Sequence, residues 1–391
     1  MIFLDINTFY SPKAGGIRTY HQAKIEWFRK HPGFEYILVH PGPVRKEHRD
    51  GQVTFIEAYG PALTKDPAGY RLLIDFLPVL KLILRVKPEV LETGDAWLTG
   101  LFCLFLKKTG LYKGLLVSFY HSDPVPSYFE PWAERGCLQG MKKVLVAAAA
   151  PVFYWLQRGY DLTTVSSKTM EERLHSKGVH AVAYLPFGVP AFFQETDPAS
   201  PPKEWPGVED IRLLYAGRLD REKGINLLLE SLDKILTQAN VRLTVVGCGA
   251  MAGSFASYKH KRFRFLGFID DASRMREIYD SHHILVAPGP YETFGLGVLE
   301  AMARGLVVVG PDQGGTGELL RQAQSPFIFK TGEAHGFLRA LDRAMECDWA
   351  KESARSKALA LTYGTWDDAI GRMIKRYSAR LGARHLVRAS P

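Results

Sequence analysis

Residues 284–303 read ILVAPGPYETFGLGVLEAMA. The apolar run Ile284–Ala287 has the length and composition of a buried strand. Pro288, Gly289 and Pro290 then end any regular structure, and from Gly295 onward the apolar residues return at helical spacing. Strand, loop and helix in that order make one half of a βαβ unit, so the segment predicts an α/β protein with parallel strands. The helix start offers amide groups with no intrahelical acceptor and the positive end of the helix dipole. Thr293, Phe294, Gly295 and Leu296 are therefore placed to hold a phosphate or a sugar hydroxyl. Glu292 lies in the loop and Glu300 a turn into the helix, roughly 10 Å apart at helical rise. On spacing alone, two glutamates flanking a helix start read equally well as surface charges.

The same alternation extends in both directions. In the second half, Leu213–Ala216, Leu243–Val246, Phe263–Leu266 and Leu306–Val309 read as further strands, and Ile225, Leu228, Leu229, Leu232 and Ile235 fall on a helix between two of them. In the first half Ile2–Ile6, Tyr36–Val39, Val53–Ile56 and Leu115–Phe119 read as strands, and a helix begins after Gly15-Gly16. Between the halves, residues 186–206 hold six prolines and little periodicity, the composition of a connection. The expected layout is a doubly wound domain over 1–187, a linker over 188–206, a second doubly wound domain over 207–364, and a closing helix with a basic tail over 365–391. A length of 391 residues suits two such domains.

Composition narrows the function. The longest uncharged apolar stretch, Val144–Leu156, is 13 residues and contains Pro151, too short to span a bilayer. Asp5 follows the first apolar residues with no basic region before them, unlike a secretory signal. Cys103, Cys137, Cys248 and Cys347 are scattered, so no disulfide framework or zinc knuckle is indicated, and a cytoplasmic location is expected. The formal charge of +9 favours anionic partners. Nucleic acid is disfavoured, because no helix-turn-helix, RNA-binding aromatic motif or dense basic tract appears.

Several other residues carry chemistry. Arg218 follows the strand Leu213–Ala216, and Lys223 stands at the mouth of the next helix; together they suit a diphosphate. Gly15 and Gly16 permit close backbone approach to phosphates. His121 follows the strand Leu115–Phe119, at a strand end where α/β ligands bind. Adjacent His282 and His283 cannot chelate from one helix face and are read as structural. Gly247, Gly249 and Ala252 imitate a dinucleotide fingerprint. They follow the domain's second strand rather than its first, which argues against a dehydrogenase.

The segment Glu292 to Glu300 resembles the E-x7-E signature of retaining GT-B glycosyltransferases, the large family of sucrose, glycogen and lipid glycosyl transferases. Gly217-Arg218 with Lys223-Gly224, Gly247-Cys248-Gly249, Phe265-Leu266-Gly267, and Gly314-Gly315 with Glu318 follow in the family's order. In the first half Gly15-Gly16, His121, Thr164 to Ser167, and Pro186-Phe187-Gly188-Val189 also match. Thr293 and Phe187 depart from the commoner residues, and neither change removes a charge. The resemblance implies a GT-B fold, two Rossmann-like domains facing across a cleft, with the closing helix crossing back to the first. It also implies transfer of a hexosyl group from a UDP- or GDP-sugar to an acceptor hydroxyl with retention. In that family Arg218 and Lys223 would hold the diphosphate, Glu300 the ribose, Glu292 the donor sugar, and His121 would support the reaction centre from the acceptor side. No cofactor beyond the donor substrate is implied. No Asp-x-Asp occurs, so a metal-independent reaction is expected. A soluble acceptor, a nucleotide-sugar epimerase or hydrolase, or a noncatalytic nucleotide binder are the alternatives. A lipid acceptor is preferred because WLTGLFCLFLKKTGLYK, residues 97–113, and the acid-free stretch after Gly371 together suggest a basic face meeting anionic membrane.

Overall fold

The computed structural model describes residues 1–10, 15–62, 71–95, 98–121, 142–195 and 210–389. The chain forms two compact units: Met1–Pro186 with Asp367–Pro391, and Phe187–Trp366.

The first unit runs β1 (Ile2–Ile6), α1 (Gly16–Lys30), β2 (Glu35–Gly42), β3 (Lys46–Asp50), β4 (Val53–Tyr59), α2 (Phe76–Val86), β5 (Val90–Thr93), α3 (Leu98–Lys108), β6 (Leu115–Phe119), α4 (Lys142–Gln157), β7 (Leu162–Val165), α5 (Lys168–Ser176) and β8 (Val182–Tyr184). The strand order is β3-β4-β2-β1-β5-β6-β7-β8. All neighbours are parallel except β3 and β4. From β1 the sheet grows in both directions, so the order reverses between β1 and β5, the switch point of a doubly wound sheet.

Alternation along β1 divides the unit into two cores. Leu4 and Ile6 point to one face and pack with Val79, Leu82 and Ile83 of α2 and with Cys103, Leu104 and Leu106 of α3. Leu156 of α4 joins this cluster from its rim. Phe3 and Asp5 point to the other face, where Phe28 of α1 lies 5.2 Å from Phe3. There Lys24 is fully buried between Asp5 at 2.5 Å and Glu92 at 3.1 Å. Tyr36 donates to Asp5 and Tyr20 to Glu92. Burial pushes the Asp5 carboxyl up, but Lys24 and His21 outweigh it and hold it below the usual range.

The second unit continues with α6 (Ala191–Gln194), β9 (Ile211–Ala216), a 3-10 turn (Arg221–Lys223), α7 (Ile225–Thr237), β10 (Val241–Val246), α8 (Ala252–Ser257), β11 (Phe263–Gly267), α9 (Ala272–Asp280), β12 (Ile284–Val286), α10 (Leu296–Ala303), β13 (Val307–Pro311), α11 (Gly314–Gln322), β14 (Ile328–Phe329), α12 (Ala334–Met345) and α13 (Trp349–Tyr363). Its sheet has the order β11-β10-β9-β12-β13-β14, parallel throughout. The reversal falls between β9 and β12. The Pro186-Phe187-Gly188-Val189 motif has a packing explanation here. A Cβ on Gly188 would lie 2.1 Å from the Thr365 carbonyl, and Val189 pairs with Thr365 as an isolated bridge. Of the segment expected to link the domains, residues 196–206 lie outside the described residues.

The closing helix, α14 (Trp366–Ala389), returns to the first unit, as the resemblance implied. Tyr377 stacks on Phe3 at 6.4 Å and donates to Glu92 at 2.7 Å. Tyr20 meets Met373, and Lys30 pairs with Asp367 at 2.7 Å. This corrects one expectation. The basic closing helix and the apolar stretch after residue 97 do not share a face, because α14 covers the Phe3 side of the sheet and α3 the Leu4 side. Nor is that stretch wholly core: Leu98, Leu101 and Phe105 are exposed, while Cys103, Leu104 and Leu106 are buried. Trp97 lies outside the described residues.

Candidate functional site

The loops at the carboxyl ends of β9, β10, β12 and β13 converge at the switch point of the second unit, and glycine geometry shows how closely they pack. Gly247, after β10, has φ +144, and a Cβ there would stand 1.8 Å from the carbonyl of Gly217, after β9. Gly224, with φ +68, brings the turn after β9 against Pro288. Gly315 of α11 packs on Phe294, and its amide donates to the Glu292 carbonyl at 2.5 Å. At Gly247 and Gly224 only glycine meets the demands of space and left-handed backbone together, and at Gly315 the neighbouring Phe294 backbone leaves no room for a Cβ.

That packing joins the residues singled out in the sequence. Lys223, from the turn after β9, forms an ion pair with Glu292, from the loop after β12, at 2.8 Å. Arg218 pairs with Glu222 and, at 3.4 Å, with Asp220. Its main-chain carbonyl accepts from the Tyr215 hydroxyl at 2.6 Å, which anchors the loop to β9. Asp220 also accepts from the amide of Ala250 at 2.9 Å, linking the β9 and β10 loops. The Arg218, Lys223 and Glu292 side chains each keep between a fifth and two-fifths of their surface accessible, so they remain within reach of a ligand.

Helix α10 opens at Gly295, in the left-handed region at φ +85, with no side-chain cap on its first turn. The Phe294 side chain turns inward, 5.1 Å from Phe187 and 5.6 Å from Tyr363, so any ligand contact there falls to backbone. The aromatic cluster extends from Phe187 to Trp366 at 5.1 Å. Thr293 and Leu296, flanking Phe294 and Gly295, are half-buried. Glu300, one turn on, accepts from the Tyr279 hydroxyl at 3.2 Å. Burial pushes its carboxyl up to about 7, against the opposing effect of that hydrogen bond. Tyr279, buried at the end of α9, also reaches the Gly297 carbonyl at 3.5 Å. Sequence reasoning missed Tyr279, whose partner Glu300 lies in the next helix.

In the first unit, Gly15 has φ +95 and caps α1, and Gly16 has open space around its Cα. His121 follows β6 with its ring between Phe9 at 6.2 Å and Phe119 at 5.6 Å. Burial lowers its pKa to about 4, so the ring is neutral near pH 7. Ser167 caps α5 by accepting from the Met170 amide. Asp123 and Pro124, the rest of the motif after His121, lie outside the described residues. His282 and His283 are structural: the first bonds Thr244 at 2.8 Å, and the second accepts from the Arg212 amide at 3.1 Å.

Residues 210–347 match the family described as glycosyl transferases group 1. An uncharacterized glycosyltransferase of Methanocaldococcus jannaschii is 36% identical over 151 residues, covering 37% of this chain and 38% of that protein. A GDP-mannose-dependent alpha-(1-6)-phosphatidylinositol dimannoside mannosyltransferase of Mycobacterium tuberculosis is 25% identical over 321 residues, 79% of each chain. Among solved structures, the sucrose-phosphate synthase of Thermosynechococcus elongatus superposes with a TM-score of 0.71 at 19% identity, covering 98% of this chain and 100% of that one. The chain has the GT-B fold, and the family match falls within its second unit.

Proposed function

We propose that this protein is a retaining, metal-independent hexosyltransferase that uses a UDP- or GDP-sugar and glycosylates the hydroxyl of a membrane lipid. The observation that carries the donor site is the meeting of Lys223, from the loop after β9 that also holds Arg218, with Glu292 from the loop after β12. Two cations beside an uncapped helix start suit a diphosphate leaving group, whose developing charge they would stabilise in place of a metal ion. Without donor, Lys223 and Glu292 neutralise each other. A bound diphosphate competes for Lys223 and leaves Glu292 to accept from a hydroxyl of the donor sugar. Glu300 accepts from the ribose, with Tyr279 holding its carboxylate.

In this reading the acceptor oxygen attacks the anomeric carbon on the face from which the diphosphate departs. The carbon–phosphate-oxygen bond breaks, the new glycosidic bond forms, and a leaving phosphate oxygen takes the acceptor proton. The protein's share is orientation and charge stabilisation. A neutral His121, on the first unit, belongs to the acceptor side and not to the diphosphate clamp. The lipid acceptor draws support from the mycobacterial relative, whose name specifies a phosphatidylinositol mannoside.

Incubation with a panel of labelled UDP- and GDP-sugars, with and without lipid extract and with and without EDTA, tests the reading. Donor consumption that requires lipid extract, persists in EDTA and yields an organic-soluble product of retained configuration is expected. Consumption without any acceptor favours an epimerase or hydrolase. Transfer to soluble sugars alone overturns the lipid assignment, and loss of transfer on chelation that Mg²⁺ or Mn²⁺ restores overturns metal independence.

A further inference from the structure

The three helices on the Leu4 side of the first sheet carry an unusual outer surface. Helix α2 exposes Leu77 at 61% and Leu84 at 41%. Helix α3 exposes Leu98, Leu101 and Phe105 at 45%, 47% and 59%. Helix α4 exposes Val152 and Trp155 at 57% and 56%. These positions repeat at three, four or seven residues within each helix, so each set forms one stripe. The inner stripes of α2 and α3 and Leu156 of α4 pack into one core. Phe76 of α2 lies 4.8 Å from Phe102 of α3, and Lys108 of α3 sits 4.8 Å over the Trp155 ring of α4. The stripes are therefore side by side on one surface. Single exposed leucines need no explanation, but contiguous ones mark an interaction site.

Charge selects the partner. The sequences of α2, α3 and α4 contain no Asp or Glu, although the whole chain holds 41. The cations Lys81, Arg85 and Lys108 are exposed between or beside the apolar stripes. A protein–protein interface on an acidic partner would need paired charges at its core, whereas leucines and aromatics ringed by lysine and arginine suit the boundary between acyl chains and anionic headgroups.

We propose that the outer face of α2, α3 and α4 docks on the anionic surface of a lipid bilayer, with Leu101, Phe105 and Trp155 entering the headgroup layer. The closing helix, on the opposite side of the same sheet, takes no part in this docking. The proposal deepens the lipid-acceptor reading and rests on it for its purpose, but its test needs no donor.

The test is sedimentation of the full chain with vesicles of phosphatidylcholine alone or mixed with phosphatidylglycerol, at low and high salt. The intact protein should sediment with the mixed vesicles and be released by salt. The double variant Leu101→Asp, Phe105→Asp should lose at least tenfold in vesicle partitioning, since both sites are exposed and the change need not disturb the core. The double variant Arg376→Gln, Arg380→Gln on α14 and Leu361→Asp on the second unit should bind as the intact protein does. Circular dichroism confirms folding, and Leu101→Ala, Phe105→Ala serves if the aspartates unfold the chain. Indifference of vesicle binding to the α3 changes, or loss on changing α14, overturns the proposal. So does light scattering that shows an intact dimer turned monomeric by the α3 changes, since a second copy then covers this face. Transfer assayed in detergent micelles separates the readings: the α3 variant should keep it if the acceptor is a lipid, whether or not docking fails.

Discussion

Replacing Glu300 by glutamine should make the protein more stable above neutral pH while weakening its hold on nucleotide. Burial pushes the folded carboxyl up to about 7, against 4.5 for an unperturbed glutamate. That rise corresponds to a stability cost of at most about 3 kcal/mol for the ionised form, which residual hydration reduces to roughly 1–3 kcal/mol. Because the folded pKa is the higher one, the folded state retains its proton longer as pH rises. Stability from this group is fully present below about 4.5, falls between 4.5 and 7, and is lost above 7. Glutamine mimics the protonated form at every pH. The variant should therefore match the intact protein at pH 4.5 and gain several degrees in Tm at pH 8. Calorimetric titration with UDP and GDP supplies the other half. Nucleotide affinity of the intact protein should fall below pH 7 more steeply than that of the variant, which isolates Glu300 from the titration of the phosphates themselves. A Glu300→Gln protein with the same or lower Tm at pH 8, or with unchanged nucleotide affinity there, refutes the reasoning.

Arg218→Ala and Lys223→Ala should each cost roughly 10²–10³ in donor turnover with the circular dichroism spectrum unchanged, as expected for one preorganised contact to a leaving group. Glu292→Gln removes the internal partner of Lys223, so bare UDP or GDP should bind as well as before or better in calorimetry, while sugar transfer falls. Equal losses of nucleotide affinity in the Glu292 and Glu300 variants would contradict their separate roles. Lys24→Met should destabilise the first unit by about 3–5 kcal/mol, because Asp5 and Glu92 would be left buried without their cation; thermal melts check this, and a loss under 1 kcal/mol would show that water reaches the cluster.

Nine apolar strands, β1, β2, β4, β6 and β9 to β13, were legible; the short β5, β7, β8 and β14 were not singled out, and neither was β3. Its sequence, Lys46–Asp50, has no apolar residue and is exposed throughout; it is a strand only because β4 offers an open edge for backbone pairing. A pattern based on side chains cannot register an element held by main-chain bonds alone. Similarly, the apolar composition of α3 showed that a helix would pack somewhere, but not that three of its seven apolar residues, Leu98, Leu101 and Phe105, would remain outside.

In the site, the positions readable in advance were those where local geometry restricts the residue type. Gly247 must be glycine because a carbonyl occupies the space of its Cβ, and Gly295 because the chain turns left-handed before a helix. Residues defined by distant pairing were found singly or not at all. Lys223 and Glu292 each stood out, yet they are 69 positions apart, and nothing in either neighbourhood showed that they pair. Tyr279, 21 positions from Glu300, carried no local signal. Such pairs exist only once the sheet order is set, since reversal between β9 and β12 brings their loops together. The electrostatics of the site is thus a consequence of topology. In the proposed reading, the Lys223–Glu292 pair means that a diphosphate would be taken up by exchange, one anion for another at the same ammonium, with the displaced carboxylate left beside the donor sugar.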